Sequence, residues 1–207
     1  MGNNFTSNRV YQSMKRELLP YAEARKDFLP GDCVTWEGSS LLSRLIGIFT
    51  KSKTTHISLL LMEVREVERW LIMEAWEGGS GYLSGNVGNN FLSQKIEEYK
   101  GKAVWRPLIS MLDPFRSEIV KSLWTYKDIK YDYKSLLRQA IRRVGVCKKA
   151  LFCSELAQVV YRESIPTEIL NGMPHNKEMK MLLENRKAMQ PRDFDCLPLF
   201  SREIELI

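Results

Sequence analysis

A cysteine, a histidine and a carboxylate that a fold can bring together suffice for nucleophilic acyl chemistry. The thiolate attacks a carbonyl, the imidazole takes and returns a proton, and the third group holds the ring. Cys153 lies just inside the start of a helix predicted over Phe152 to Arg162, where apolar residues recur at helical spacing. At such a position the unsatisfied backbone N–H groups and the positive end of the helix dipole lower a thiol pKa. Its own N–H, with neighbouring ones, could donate to a developing oxyanion. A buried cysteine is also a common small core hydrophobe, and spacing alone leaves that reading open.

The choice of base is narrow, because the chain has only 2 histidines. His56 opens an apolar β-type run after the polar stretch Lys51 to Thr55, a place from which a strand end can face a cleft. His175 sits in the loop-like stretch Gly172, Met173, Pro174, His175, Asn176 and reads as an exposed residue with no role. Glu74 interrupts the apolar run Trp70 to Trp76, and a carboxylate buried there needs a partner. If the two strands are neighbours, Glu74 could accept from the far nitrogen of His56, orienting the ring and favouring its protonated form. Strand alternation equally allows an outward-facing surface glutamate.

The elements that must position these residues suggest one α+β domain of 207 residues. Residues 1–28 read as an N-terminal extension, with a weakly amphipathic helical segment over Val10 to Ala24. Pro30, Gly31 and Asp32 turn the chain into a first strand, Cys33 to Trp36, and a helix is predicted over Leu41 to Phe49. Strands His56 to Val64 and Trp70 to Trp76 are joined by the charged Arg65 to Arg69, as in a hairpin. Gly78 to Asn90 reads as a surface loop and Lys102 to Leu108 as a strand. Asp113 as N-cap and Pro114 at the first helical position open a helix to Tyr126. Helical spacing returns over Tyr133 to Val144 and Phe152 to Arg162. Ser164 to Lys177 then reads as a loop, Glu178 to Lys187 as a short helix and Pro191 to Pro198 as irregular.

Composition narrows the partners. The net charge of +6 and pI of about 9.1 are mild, with basic clusters at Lys15 and Arg16, Arg138 to Arg143, and Lys148 and Lys149. No zinc finger, RNP-like strand or helix-turn-helix pattern accompanies them, so solvated helix faces are expected and a nucleic-acid partner is not. Cys33, Cys147, Cys153 and Cys196 include no CxxC pair, so neither a metal site nor a cofactor is expected. Met1 to Tyr11 lacks an apolar signal core, and no apolar stretch approaches the roughly 20 residues that span a bilayer. Reduced thiols in the cytoplasm fit best. Met1, Gly2 and Thr6 match an N-myristoylation pattern, which has meaning only in a eukaryotic host.

Six short motifs then stand in register: Gly31-Asp32 before a strand; Thr54-Thr55-His56-Ile57-Ser58; Glu74-Ala75; Tyr131-Asp132-Tyr133; Phe152-Cys153-Ser154-Glu155-Leu156; and Pro191-Arg192-Asp193. Together they resemble the YiiX-like branch of the circularly permuted NlpC-type, papain-like cysteine hydrolases, over roughly residues 29–200. The order agrees too, with the histidine strand before the cysteine helix. The resemblance implies a papain-like domain over residues 29–207, an antiparallel sheet packed against helices with the nucleophile at a helix N-terminus. It assigns Cys153 as nucleophile, His56 as base and then acid, Glu74 as the orienting third member and Tyr131 to the oxyanion region. Trp36, Trp76 and Trp105 read as core aromatics, and of these Trp76, close after Glu74, is the one placed to reach the substrate. Asp32 is expected to be structural. Ile57 and Ser58 depart from the valine and glycine usual after the family's histidine. The implied reaction is hydrolysis or transfer at an amide or ester of a peptide or acyl lipid, with peripheral membrane contact as an added possibility. The alternative is a catalytically silent lipid- or peptide-binding module on the same fold.

Overall fold

Four runs rich in β-branched, aromatic and aliphatic residues form the centre of one sheet. The computed structural model describes residues 16–38, 52–75, 85–131, 150–184 and 187–207. The strands of the main sheet are β1 (Glu17–Leu19), β2 (Cys33–Gly38), β3 (Thr54–Val64), β4 (Arg69–Ala75), β5 (Val87–Phe91), β6 (Gly101–Arg106) and, last in the chain, β9 (Ile204–Leu206). They lie in the order β1-β9-β6-β2-β3-β4-β5. All neighbours are antiparallel except β1 and β9. A separate parallel pair joins β7 (Lys130–Tyr131) to β8 (Ala150–Leu151). The helices are α1 (Tyr21–Ala24), α2 (Leu92–Glu98), α3 (Arg116–Thr125), α4 (Cys153–Ser164), α5 (Thr167–Asn171) and α6 (Lys177–Glu184). The architecture is α+β, as expected.

The central strands are buried on both faces, and strand alternation sorts their side chains into two cores. Ile57, Leu59 and Leu61 of β3, with Met73 and Ala75 of β4, pack against Ile119 and Leu123 of α3 and Leu156, Val159 and Val160 of α4. Trp36, Leu60, Ile72 and Trp105 face the other way, onto Ala24, Phe28 and Leu92. His56 pairs across the ladder with Trp36 and so shares that second face.

β3 and β4 are the antiparallel neighbours expected, joined by a turn in which Glu68 takes a left-handed backbone, φ 48°. Elsewhere the structure corrects the local reading. Val87–Phe91, expected within a surface loop, pairs with β4 as the edge strand, where polar residues such as Asn89 and Asn90 can be accommodated. Asp113 does not cap a helix: its carboxylate accepts from Arg116 Nε at 2.8 Å, and Pro114 lies in a 3-10 turn (Ser110–Phe115) that precedes α3. The Ser164 to Lys177 loop contains α5, too short to show a helical period. Within Val10 to Ala24, Glu17–Leu19 forms a strand and only Tyr21–Ala24 a helix, because Pro20 separates the two. Residues 16–28 thus supply the sheet edge and two core residues, Ala24 and Phe28. The Leu41 to Phe49 and Tyr133 to Val144 helices lie outside the described residues. No helix among the described residues is long and apolar enough to cross a membrane.

The turn before β2 depends on Gly31, whose φ is +86°. A Cβ there would stand 3.0 Å from Ile119 Cγ2. Gly31→Ala is therefore expected to cost about 1–3 kcal/mol, measured as a lower urea midpoint with an unchanged slope.

Candidate functional site

The sheet opens beside His56. The β3–β4 ladder runs from Val64 opposite Arg69 to Leu59 opposite Met73 and stops there; further along, β3 pairs with β2 and β4 with β5. At this parting the N-terminus of α4 arrives from the helical face. The Cys153 thiol accepts from the backbone N–H groups of Ile57, the residue after His56, and of Ser154. α4 is anchored at this end by its own sequence. The Glu155 carboxylate accepts from the Phe152 N–H at 3.2 Å, and Ser154 Oγ donates to the Met189 carbonyl at 2.7 Å. An acid in the first turn also suits the helix dipole.

Glu74 is the hub on the other face. It is buried, so the outward-facing reading is excluded. His56 Nε2–H donates to its Oε2 at 2.7 Å and Ser58 Oγ to the same oxygen at 2.6 Å. Trp36 Nε1–H donates in turn to Ser58 Oγ at 2.9 Å. With Glu74 accepting, the proton of a neutral His56 sits on Nε2 and Nδ1 is the basic nitrogen. Lys95, from α2, forms an ion pair with Oε2 as well, its Nζ 4.9 Å from the centre of the Trp36 ring. Glu74 Oε1 has no hydrogen-bond partner among the described residues.

The electrostatics differ from those expected of a thiol at a helix terminus. Burial pushes the Cys153 thiol up to about 12, outweighing the Ile57 and Ser154 N–H groups and the more distant Lys95. Burial, and then repulsion by Lys95, hold the His56 imidazole down near 4 despite Glu74. Glu74 is about 2: the Lys95 cation and the His56 bond overcome the desolvation that would raise it. The helix terminus does not make a resting thiolate, and Glu74 does not favour a resting imidazolium, because desolvation penalises both charged forms and Lys95 already neutralises the carboxylate.

Among the residues selected from sequence, Cys153, His56 and Glu74 gather around the end of the β3–β4 ladder. Tyr131 is opposite Leu151 in the β7–β8 pair, two residues before Cys153, which fixes its backbone near the start of α4. Trp76 lies outside the described residues. His175 is exposed and bonds the Asn171 carbonyl at 2.8 Å, away from this network. Sequence reasoning missed Lys95 and the part played by Ser58. The signal for Lys95 was its spacing: Leu92, Lys95, Ile96 and Tyr99 occupy one helical face, so a lysine stands in an apolar stripe.

No protein-family model matches the chain, and no curated protein matches it significantly. Among solved structures it is similar to the metalloprotein YiiX from Escherichia coli O157:H7, at 18% sequence identity and a TM-score of 0.57, over 83% of this chain and 94% of that one. The chain shares the YiiX fold.

Proposed function

We propose that the chain is a papain-like cysteine hydrolase of the permuted NlpC type, cleaving an amide or ester of a peptide or acyl lipid. The observation that carries this reading is the His56–Glu74 hydrogen bond beside a thiol cradled by backbone N–H groups at the start of α4. As Cys153 Sγ bonds to the substrate carbonyl carbon, its proton passes to His56 Nδ1, and the oxyanion is met by backbone donors near the helix terminus. Collapse breaks the bond to the leaving amine or alkoxide, which takes the proton from His56 and leaves a thioester. His56 then accepts a proton from water as it attacks, and the acid and the neutral thiol are released. Glu74 keeps the ring in the tautomer this requires.

A metal role, raised by the description of YiiX, finds no donor set among the described residues. No group of three or more His, Cys, Asp or Glu side chains that could hold a metal occurs among the described residues, and the Glu74 oxygen nearest His56 already bears the Lys95 ammonium. The silent-module reading has one observation in its favour, the deep burial of the thiol, 4% exposed.

Acyl capture separates these two. Incubation with p-nitrophenyl acetate and p-nitrophenyl octanoate is expected to place one acyl group on the peptide carrying Cys153, seen by mass spectrometry, turning over with time and absent from Cys153→Ala. Acylation confined to the exposed Cys196, or none at all, supports the binding module and removes the hydrolase reading.

A further inference from the structure

Glu74 Oε2 serves both His56 and Lys95. In a Cys-His-carboxylate site the carboxylate's negative charge is what would make an imidazolium affordable. Here that charge is already matched by an ammonium buried on α2, with only 7% of its side chain exposed. Two positive charges on one carboxylate oxygen repel each other at short range in a poorly solvated site.

The described groups around His56 come from several elements. Glu74 faces it from β4 and Lys95 from α2, and its cross-strand neighbour on β2 is the uncharged Trp36. Asp195, on the turn packed against the start of β3, is engaged by Thr54 and Arg106 instead. Cys153, on α4, stands at the parting of β3 and β4, and from the end of α2 the Tyr99 hydroxyl lies 3.4 Å from Thr55 Oγ1.

We propose that Lys95 is a positioning residue that sets the resting protonation of His56: by pairing with Glu74 it keeps the imidazole a neutral base, ready to take the thiol proton when a substrate carbonyl is in place. The part concerning turnover rests on the hydrolase reading above. Removing the ammonium leaves Glu74 to stabilise a charged ring, and His56 then holds a proton to higher pH and is a less available base near neutrality.

The test follows the ring C–H signals of the whole chain by NMR as pH is varied, with His175→Ala assigning the two histidines. In the unsubstituted protein His56 should titrate below about pH 5. In Lys95→Met its titration should rise by more than about one pH unit. Lys95→Arg should restore the original titration. The measurement on the unsubstituted chain needs no variant to fold: His56 titrating at or above its ordinary range overturns the proposal, as does an unmoved His56 in folded Lys95→Met. Ester turnover is read separately. If His56 behaves as stated but no acyl-enzyme forms, the protonation assignment holds and the hydrolase reading falls. If acyl-enzyme forms while His56 ignores Lys95, the Lys95 proposal falls alone.

Discussion

Replacing His56 by alanine is expected to slow acylation of Cys153 by roughly three orders of magnitude, read as the burst rate with a p-nitrophenyl ester. The size of the effect follows from the thiol. With Cys153 held up near 12 by burial, almost none of it is thiolate at neutral pH, so the nucleophile must be made by proton transfer during attack. His56 directly precedes Ile57, whose N–H meets the thiol, and its imidazole, held near 4, stays unprotonated well into acid. The sign of the pH dependence is then fixed. Activity should persist as pH falls below the ordinary histidine range and be lost only around pH 4, where His56 gains its proton. In His56→Ala that acidic limb should vanish, and the residual rate should climb with pH toward the ionisation of the thiol. A variant retaining its rate within about threefold would mean that the proton goes elsewhere, and the assignment of the base would be wrong.

Much of this arrangement is legible in the sequence because periodicity reports which faces are covered. The apolar runs around His56 and Glu74, separated by Arg65 to Arg69, specify two adjacent antiparallel strands, and Phe152-Cys153-Ser154-Glu155 marks a helix start whose acid caps the preceding N–H. What stays hidden depends on long-range packing. Val87–Phe91 has the composition of a loop and becomes a strand only because the edge of β4 is there to pair with it. Glu17–Leu19 needs β9, nearly the whole chain away. Lys95 stands in an apolar stripe, but its partner Glu74 is settled only once α2 is folded over Trp36. The sign of the Cys153 shift is hidden for the same reason: a helix terminus can be read from local sequence, whereas the desolvation that overrides it cannot.

The largest loss of stability is expected from Asp32→Ala, about 3–5 kcal/mol by urea unfolding, with little change in Cys153 labelling under conditions where the variant is still folded. Asp32 Oδ1 accepts from the Leu108 N–H at 3.0 Å and from Arg116 Nη1 at 2.8 Å. Its Oδ2 accepts from Trp105 Nε1 at 3.0 Å and from the Leu29 N–H at 3.2 Å. One carboxylate therefore ties the entry to β2, the exit of β6 and the first turn of α3. Its backbone continues the link, since the Leu60 N–H donates to the Asp32 carbonyl and the Gly31 N–H to that of Leu60, each at 2.8 Å. Alanine would strand four donors, and an unmade buried hydrogen bond costs more than a made one contributes. Arg116 would keep Asp113 and the Pro30 carbonyl, which limits the loss from that charge. Burial raises the Asp32 pKa in spite of Arg116, so holding the carboxylate charged already offsets part of what the network contributes at neutral pH. Asp32→Asn should then lose less than Asp32→Ala, because the amide oxygen can still serve two donors while carrying no charge. A loss in Asp32→Ala below about 1 kcal/mol would mean that the four bonds do not act together. In that case the orientation of β3, and with it His56, must be fixed mainly by the packing of Ile57, Leu59 and Leu61 against the helices.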